Sequence, residues 1–558
     1  MRVATRVTTL LLSLGLLVSA HEARANVYAG QLKVTNPDGS AFDGNFGDGT
    51  GAKISFILND NATVVTLRVK EVGTGAVVYQ ADLGALSRGP QSATWSGTGA
   101  VAGKSYTYEI TAEQPNISTT EWKKFFDSGG VGIFTRGVDI VLDQKSPLFG
   151  LAYAPNAGGS LLKGILSFTP DGEAKALLAP DVTAGGTIDW GGGSATMIDG
   201  LFDENERFYL SNINVGQVRR LNLDGTVTNV VTGLTNPKGL AFVGTGADKV
   251  LYICDDKRVV RAKLGNDDVF TGTLEVVAQF ATLFPREVAI DDGGFMYLSF
   301  RADNNLAGTP LGLYKFDISG TLPVSDANAV WSMGADLTFR LAELEFHRGA
   351  NLNSAADDVL YYSTRAGSNN GGDGIWRVDD INSAFPGVVQ VVSEVELYGG
   401  DSNINERAGI AFDPAGNIVL MENSNEHVFF LSPPGTGATN SFTTTSWDTV
   451  KVTTGTSVAD RGLGRLSSYR LEQNYPNPFN PTTSIMYTLG EAGFTRLTVY
   501  NALGEAVRTL YEGRQVAGEY RATWDGKDEH GTSLSSGVYI LSLVSGAHRQ
   551  SIRMTLMK

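Results

Sequence analysis

The sequence predicts an all-β protein, a six-bladed β-propeller flanked by an N-terminal and a C-terminal β-sandwich. Three observations predict it. A short apolar strand motif recurs six times through the middle of the chain. Two end segments share one spacing of alternating strands around a tryptophan. The 67 glycines are spread along all 558 residues, as many turns between short strands require.

The central repeat comprises Gly137-Val138-Asp139-Ile140, Asp199-Gly200-Leu201-Phe202, Gly239-Leu240-Ala241-Phe242, Glu287-Val288-Ala289-Ile290, Glu343-Leu344-Glu345-Phe346 and Gly409-Ile410-Ala411-Phe412. The intervals between copies are 62, 40, 48, 56 and 66 residues. Most copies are followed by a turn and a second apolar strand, as in Phe208-Tyr209-Leu210 and Phe295-Met296-Tyr297-Leu298. Several strands per unit at such a period mark propeller blades, and six copies give six blades over residues 129–454. The strand that closes the ring stays open between two candidates, Val131-Gly132-Ile133-Phe134 and Asp448-Thr449-Val450-Lys451-Val452.

In the end segments, Ile54 lies 41 residues before Trp95, and Ile485 lies 39 residues before Trp524. Both intervals hold alternating apolar and polar runs, as half-buried strands do. The tryptophan of each plugs the space between two sheets. The sandwiches are expected over residues 26–128 and 468–558, with residues 455–467 as a Gly-, Thr- and Ser-rich linker.

The first 25 residues read as a secretory signal. Arg2 and Arg6 precede the apolar run Val7–Val18, and Ala23-Arg24-Ala25 supplies an A-x-A site. No later stretch is long and apolar enough to be an integral membrane segment. Loss of Arg2, Arg6, Arg24 and Glu22 takes the formal charge from −15 to −17. Such an acidic chain repels nucleic acid and anionic membrane surfaces. The single cysteine, Cys254, excludes an internal disulfide and sits in an apolar strand as a small core residue.

The last segment opens with Asn474-Tyr475-Pro476-Asn477-Pro478-Phe479-Asn480-Pro481 and ends with Arg553, Met554 and Lys558. It resembles the C-terminal sorting domain of bacterial type IX secretion substrates, an Ig-like module related to that of the flagellar hook-capping protein. The resemblance implies a partner, the secretion machinery of the outer membrane. It also implies a destination outside a Gram-negative-type cell, secreted or displayed on the surface. Asn474, Pro476, Pro478, Pro481, Arg553 and Lys558 are the positions that carry it. The prolines cannot join a central strand, so that opening is expected as an extended edge or lead-in. By the matched spacing, the N-terminal sandwich is expected to be Ig-like too.

Common catalytic signatures are missing from the sequence: no H-E-x-x-H, no G-x-S-x-G and no paired C-x-x-C occurs. The candidate chemistry is acidic. Asp199, Glu287 and Glu343 stand at the first position of the inner-strand motif, where the other copies have glycine. Asp139 and Glu345 stand two residues on, where the same strand face returns. Inner strands line a propeller's channel, so the five carboxylates are expected to converge there. Clustered carboxylates repel unless a cation sits among them, and all-oxygen ligands suit Ca2+ or Mg2+. The competing expectation pairs them with Arg136, Lys238, Arg286 and Arg407 beside the same strands. The last blade, Ile410 to Leu420, resembles an NHL-type repeat, and the acidic channel resembles that of metal-dependent lactonases. Three functions follow. The first is an exported binding protein of unknown ligand, the second a metal-dependent lactonase- or esterase-like hydrolase, and the third an adhesion or matrix component.

Overall fold

In the computed structural model, residues 27–557 are described apart from 116–121, 130–136, 302–311, 334–339, 348–358, 366–373, 398–406, 454–469 and shorter stretches, among them 47–50, 158–162, 192–196 and 475–476. The signal segment, Arg136, Pro476 and Lys558 therefore lie outside the described residues.

Six four-stranded antiparallel sheets form the middle of the molecule. Their inner strands are Asp139–Ile140, Met197–Phe202, Pro237–Val243, Phe284–Ile290, Arg340–His347 and Arg407–Phe412, taken here as blades 1 to 6. Each inner strand packs on the next, and the sixth packs on the first, which closes the ring. A separate apolar core fills each joint. Between blades 1 and 6, for instance, Ile140, Ala154 and Phe168 meet Ala411, Met421 and Phe430. Between blades 4 and 5, Tyr297 and Leu313 meet Leu344 and Tyr362. This is why the inner and second strands are apolar on both faces: each sheet is covered by a blade on either side.

The closing strand is neither of the two candidates. Blade 6 takes its outer strand from Lys123–Asp127, which the sequence reading had placed at the end of the sandwich. Phe126 pairs with Phe430, and His427 Nδ1 lies 2.6 Å from Asp127 Oδ1. Val131–Phe134 lies outside the described residues. Val450–Lys451 pairs with Tyr106 and Ser105 in the N-terminal sandwich.

That pairing reveals a second departure. The N-terminal sandwich has one sheet of Ala29–Thr35, Ala52–Leu58 and Gly89–Trp95. Its other sheet orders Thr439–Thr445, Ser105–Pro115, Ala62–Glu71 and Val77–Leu86. Two of its strands thus come from beyond the six blades, in a stretch expected to belong to the propeller. The C-terminal sandwich, with sheets Arg470–Leu471, Thr483–Leu489, Gly518–Trp524 and Ala506–Gln515, Gly493–Tyr500, Gly537–Ser545, His548–Leu556, has the same layout uninterrupted. There, His548–Leu556 pairs with Gly537–Ser545 as Thr439–Thr445 pairs with Ser105–Pro115. The propeller is inserted before the last strand of the first sandwich.

The matched tryptophans behave alike. Trp95 and Trp524 are both buried, and each indole N–H donates to a carbonyl three residues on, Thr98 O at 3.0 Å and Lys527 O at 2.9 Å. A small aromatic cluster of Tyr28, Phe149 and Phe442 with Ala415 joins the first sandwich to the propeller. Gly150 is required there: at φ +80° it lies so close to Tyr28 that a Cβ would come within 2.8 Å of the ring.

Candidate functional site

The inner strands are irregular at the positions singled out by sequence. In blades 2 to 6 the register with the second strand slips around Asp199, Gly239, Arg286, Glu343 and Gly409. A bulge bends the strand and releases a backbone N–H from the ladder. Those donors need other acceptors. The second strand supplies them: the N–H of Asp199 donates to Ser211 Oγ at 3.2 Å, and that of Glu287 to Ser299 Oγ at 3.1 Å. Both serines are fully buried. Cys254 occupies the corresponding place in blade 3. The sequence reading missed these serines, although each follows a Tyr-Leu pair in its second strand, Tyr209-Leu210-Ser211 and Tyr297-Leu298-Ser299.

The five carboxylates do not act as one set. Asp139 Oδ1 accepts from Ile140 N at 2.7 Å, and its Oδ2 accepts from Phe202 N of blade 2 at 2.7 Å. Asp199 Oδ1 accepts from Gly200 N at 2.7 Å, and its Oδ2 accepts from Leu240 N of blade 3 at 2.8 Å. Both side chains therefore tie one blade to the next. Glu287 is buried with Arg286 Nε 3.5 Å from its Oε1, so one pair of the competing expectation is formed. Lys238 is buried nearby, and the Arg407 side chain lies outside the described residues.

Glu343 differs. It is 5 % exposed, and its Oε2 accepts no hydrogen bond among the described residues. Burial pushes its carboxyl well above the usual range. The negative charges of Asp199, Glu287 and Glu345 push it further, with Arg286 acting against them. Blades 2 and 5 stand opposite one another in a ring of six, so Glu343 and Asp199 stand on facing inner strands. Glu345, two residues on along the same strand, is half-buried. Desolvation also raises Asp139, to about 7, and Asp199, to about 6. Glycine at the first motif position leaves room for the acids. A Cβ on Gly239 would lie 2.4 Å from Glu287 Oε2, and one on Gly137 2.7 Å from Asp199 Oδ1.

A Ca2+ or Mg2+ ion needs several oxygens directed at one point. Among the described residues, no three His, Cys, Asp or Glu side chains are so arranged. With Asp139 and Asp199 engaged by backbone amides, the described donor set does not fit a divalent ion.

A concavity of about 340 Å³ lies between blades 2 and 3 and is lined by Glu204, Arg207 and Asp268 among others. Its charges answer one another. Buried Lys249 sits 2.7 Å from Asp203, 3.0 Å from Glu204 and 3.0 Å from Asp268, and Arg207 pairs with both Asp203 and Asp268. That network holds two blades together.

In the C-terminal sandwich the two ends of the module meet. The Asn-Pro-rich segment runs parallel to the last strand, with Phe479 bridged to Leu556. Asn477 Nδ2 donates to Arg553 O at 3.2 Å, and its Oδ1 accepts from Thr555 N at 2.7 Å. Asn474 is buried and donates to Thr483 Oγ1 at 2.9 Å, while Pro478, Pro481 and Arg553 are exposed.

Comparison with known proteins bears on the sandwiches. Residues 39–116 and 480–548 both match the FlgD Ig-like domain family. Each match stops short of the last strand of its sandwich, the strand that in the first copy is supplied from beyond the propeller. Among solved structures, the chain is similar to PorZ of Porphyromonas gingivalis, described as an essential bacterial surface component of the type-IX secretion system. The identity is 14%, with 91% of this chain and 68% of that one covered, at a TM-score of 0.33. A gluconolactonase of Xanthomonas campestris is 11% identical over 59% of this chain and 90% of its own, at TM-score 0.36. Virginiamycin B lyase of Staphylococcus aureus is 11% identical over 56% and 99%, at TM-score 0.34. No curated protein matches the chain.

Proposed function

We propose that this chain is an exported β-propeller binding protein, and that its C-terminal FlgD Ig-like sandwich is the sorting module that takes it to the cell surface by the type IX route. The observation that carries the reading is the second family match, at residues 480–548, on a module with its own two sheets and its own core of Leu497, Trp524, Leu541 and Met554. A module that, among the described residues, shares no sheet with its cargo suits an address that works independently of what it carries. The Asn-Pro-rich segment and Arg553 lie side by side on that module, which gives the secretion machinery one contiguous surface to read. The first sandwich lacks both features and serves as the base of the propeller.

Fractionation of cells expressing the full chain and a chain ending at residue 467 tests this. The full chain is expected at the surface or in the medium, and the shortened one in the periplasm. Equal surface display of both would overturn the sorting role.

A further inference from the structure

We propose that the propeller channel binds an organic cation, a protonated amine or guanidinium group, with Glu343 as its anchor. The proposal rests on the reading of the propeller as a binding module and names the class of ligand. A polar atom buried without a partner costs free energy unless something completes it. Glu343 Oε2 is such an atom, on a side chain 5 % exposed at the bulge of an inner strand. Asp199, Glu287 and Glu345 act on it as negative charges, against the opposing Arg286 guanidinium, so the surroundings hold a proton on Glu343 and favour a cation in its place over an anion.

The kind of cation follows from how the other acids are satisfied. Asp139 and Asp199 hold backbone amides, and Glu287 has the Arg286 guanidinium beside it as an ion pair at 3.5 Å. A metal ion needs oxygens gathered at one point, which the described residues do not offer. An ammonium or guanidinium group needs one good acceptor, and draws the rest of its stabilisation from carboxylates at longer range. Glu343 supplies the acceptor, and the other three carboxylates supply the field.

Calorimetry on the full chain with methylguanidinium, butylammonium and Ca2+ as separate probes tests the proposal. Each titration is run near pH 7 in two buffers of different ionisation enthalpy. The raised pKa of Glu343 means that its proton must leave when the cation arrives. Saturable binding of an organic cation with release of about one proton is expected. Glu343→Gln is expected to weaken that binding about tenfold or more and to abolish the proton release. Proton release by the wild-type chain is a readout that stands even if the variant fails to fold. Three results would overturn the proposal: no saturable binding of either organic cation, binding that Glu343→Gln leaves unchanged, or Glu343-dependent binding of Ca2+ alone. Surface display is read separately, so intact display without cation binding would remove the ligand class and leave the export reading standing.

Discussion

Cys254 shows how a single position is explained only by its place in the repeat. Blades 2 and 4 have serine at this point of the second strand, and each hydroxyl accepts a backbone N–H freed by the bulge. Blade 3 has the thiol instead, fully buried, with its pKa pushed up by burial and then by Glu287. Cys254→Ser is expected to cost less than about 1.5 kcal/mol, because the site already suits a hydroxyl in sister blades. The native thiol is expected to resist iodoacetamide at pH 8 and to react fully in urea; ready labelling of the folded chain would contradict this placement. Asp139 makes a different statement. Its carboxyl is raised from 3.8 to about 7, chiefly by desolvation. A folded pKa above the unfolded one means that the fold favours the protonated form. Stability from this group is then full below about pH 4 and is lost as pH rises through 7. Asp139→Asn cannot titrate, so the fall in urea midpoint between pH 5 and pH 8 is expected to shrink by the equivalent of about 1–2 kcal/mol. An unchanged pH dependence would show that the carboxyl is ionised throughout. The sequence placed this residue on the channel face but not its backbone partners. Phe202 comes within reach only once blade 2 has docked.

At the scale of elements, what the sequence disclosed depended on repetition. The inner strands were legible because one motif recurs six times, and the bulges fall at or just before its first position. The closing strand was not, because Lys123-Lys124-Phe125-Phe126-Asp127 occurs once and has no counterpart to compare with. Its identity is decided by long-range pairing with His427–Ser432, some 300 residues away. That strand is held by more than its ladder. Phe430 is buried against Phe125 at 5.9 Å and Phe126 at 5.6 Å, and the Arg88 guanidinium covers Phe126 at 3.4 Å. Gly172 keeps the space open, since a Cβ there would lie 2.4 Å from Phe126 and 2.8 Å from Phe430. Phe430→Ala should therefore strike the closure and the joint between blades 1 and 6 together. A loss of about 3–5 kcal/mol is expected in the urea transition of the propeller. A change below about 1 kcal/mol would mean that the ring is closed mainly by other contacts.

The molecule as a whole is organised by an insertion that composition concealed. Residues 439–445, Thr-Asn-Ser-Phe-Thr-Thr-Thr, fall in the span expected for the propeller and hold a single apolar side chain, Phe442. The structure shows why so polar a run can still be a strand. It lies at the edge of its sheet, alternates between exposed and more buried positions, and needs only one covered face. Its pairing with Ser105–Pro115 runs through seven residues, and Thr111 Oγ1 meets Thr443 Oγ1 at 2.8 Å. Phe442 enters the aromatic cluster with Tyr28 and Phe149, and Val450 and Val452 complete the sandwich core. The chain leaves the sandwich, builds the closing strand, runs through six blades and returns to the sheet it left. Sandwich and ring are thereby fastened at one place, with Asn59 Nδ2 also donating to Asp413 Oδ2 at 3.3 Å. A chain ending at residue 453 keeps both returning strands, and one ending at residue 437 loses them. The longer chain is expected to resist limited proteolysis as the full protein does. The shorter one should be cut first between residues 52 and 115, where the sheet has lost its neighbour and the core its two valines. If both chains prove equally resistant, the returning strands are accessory and the first sandwich is complete without them.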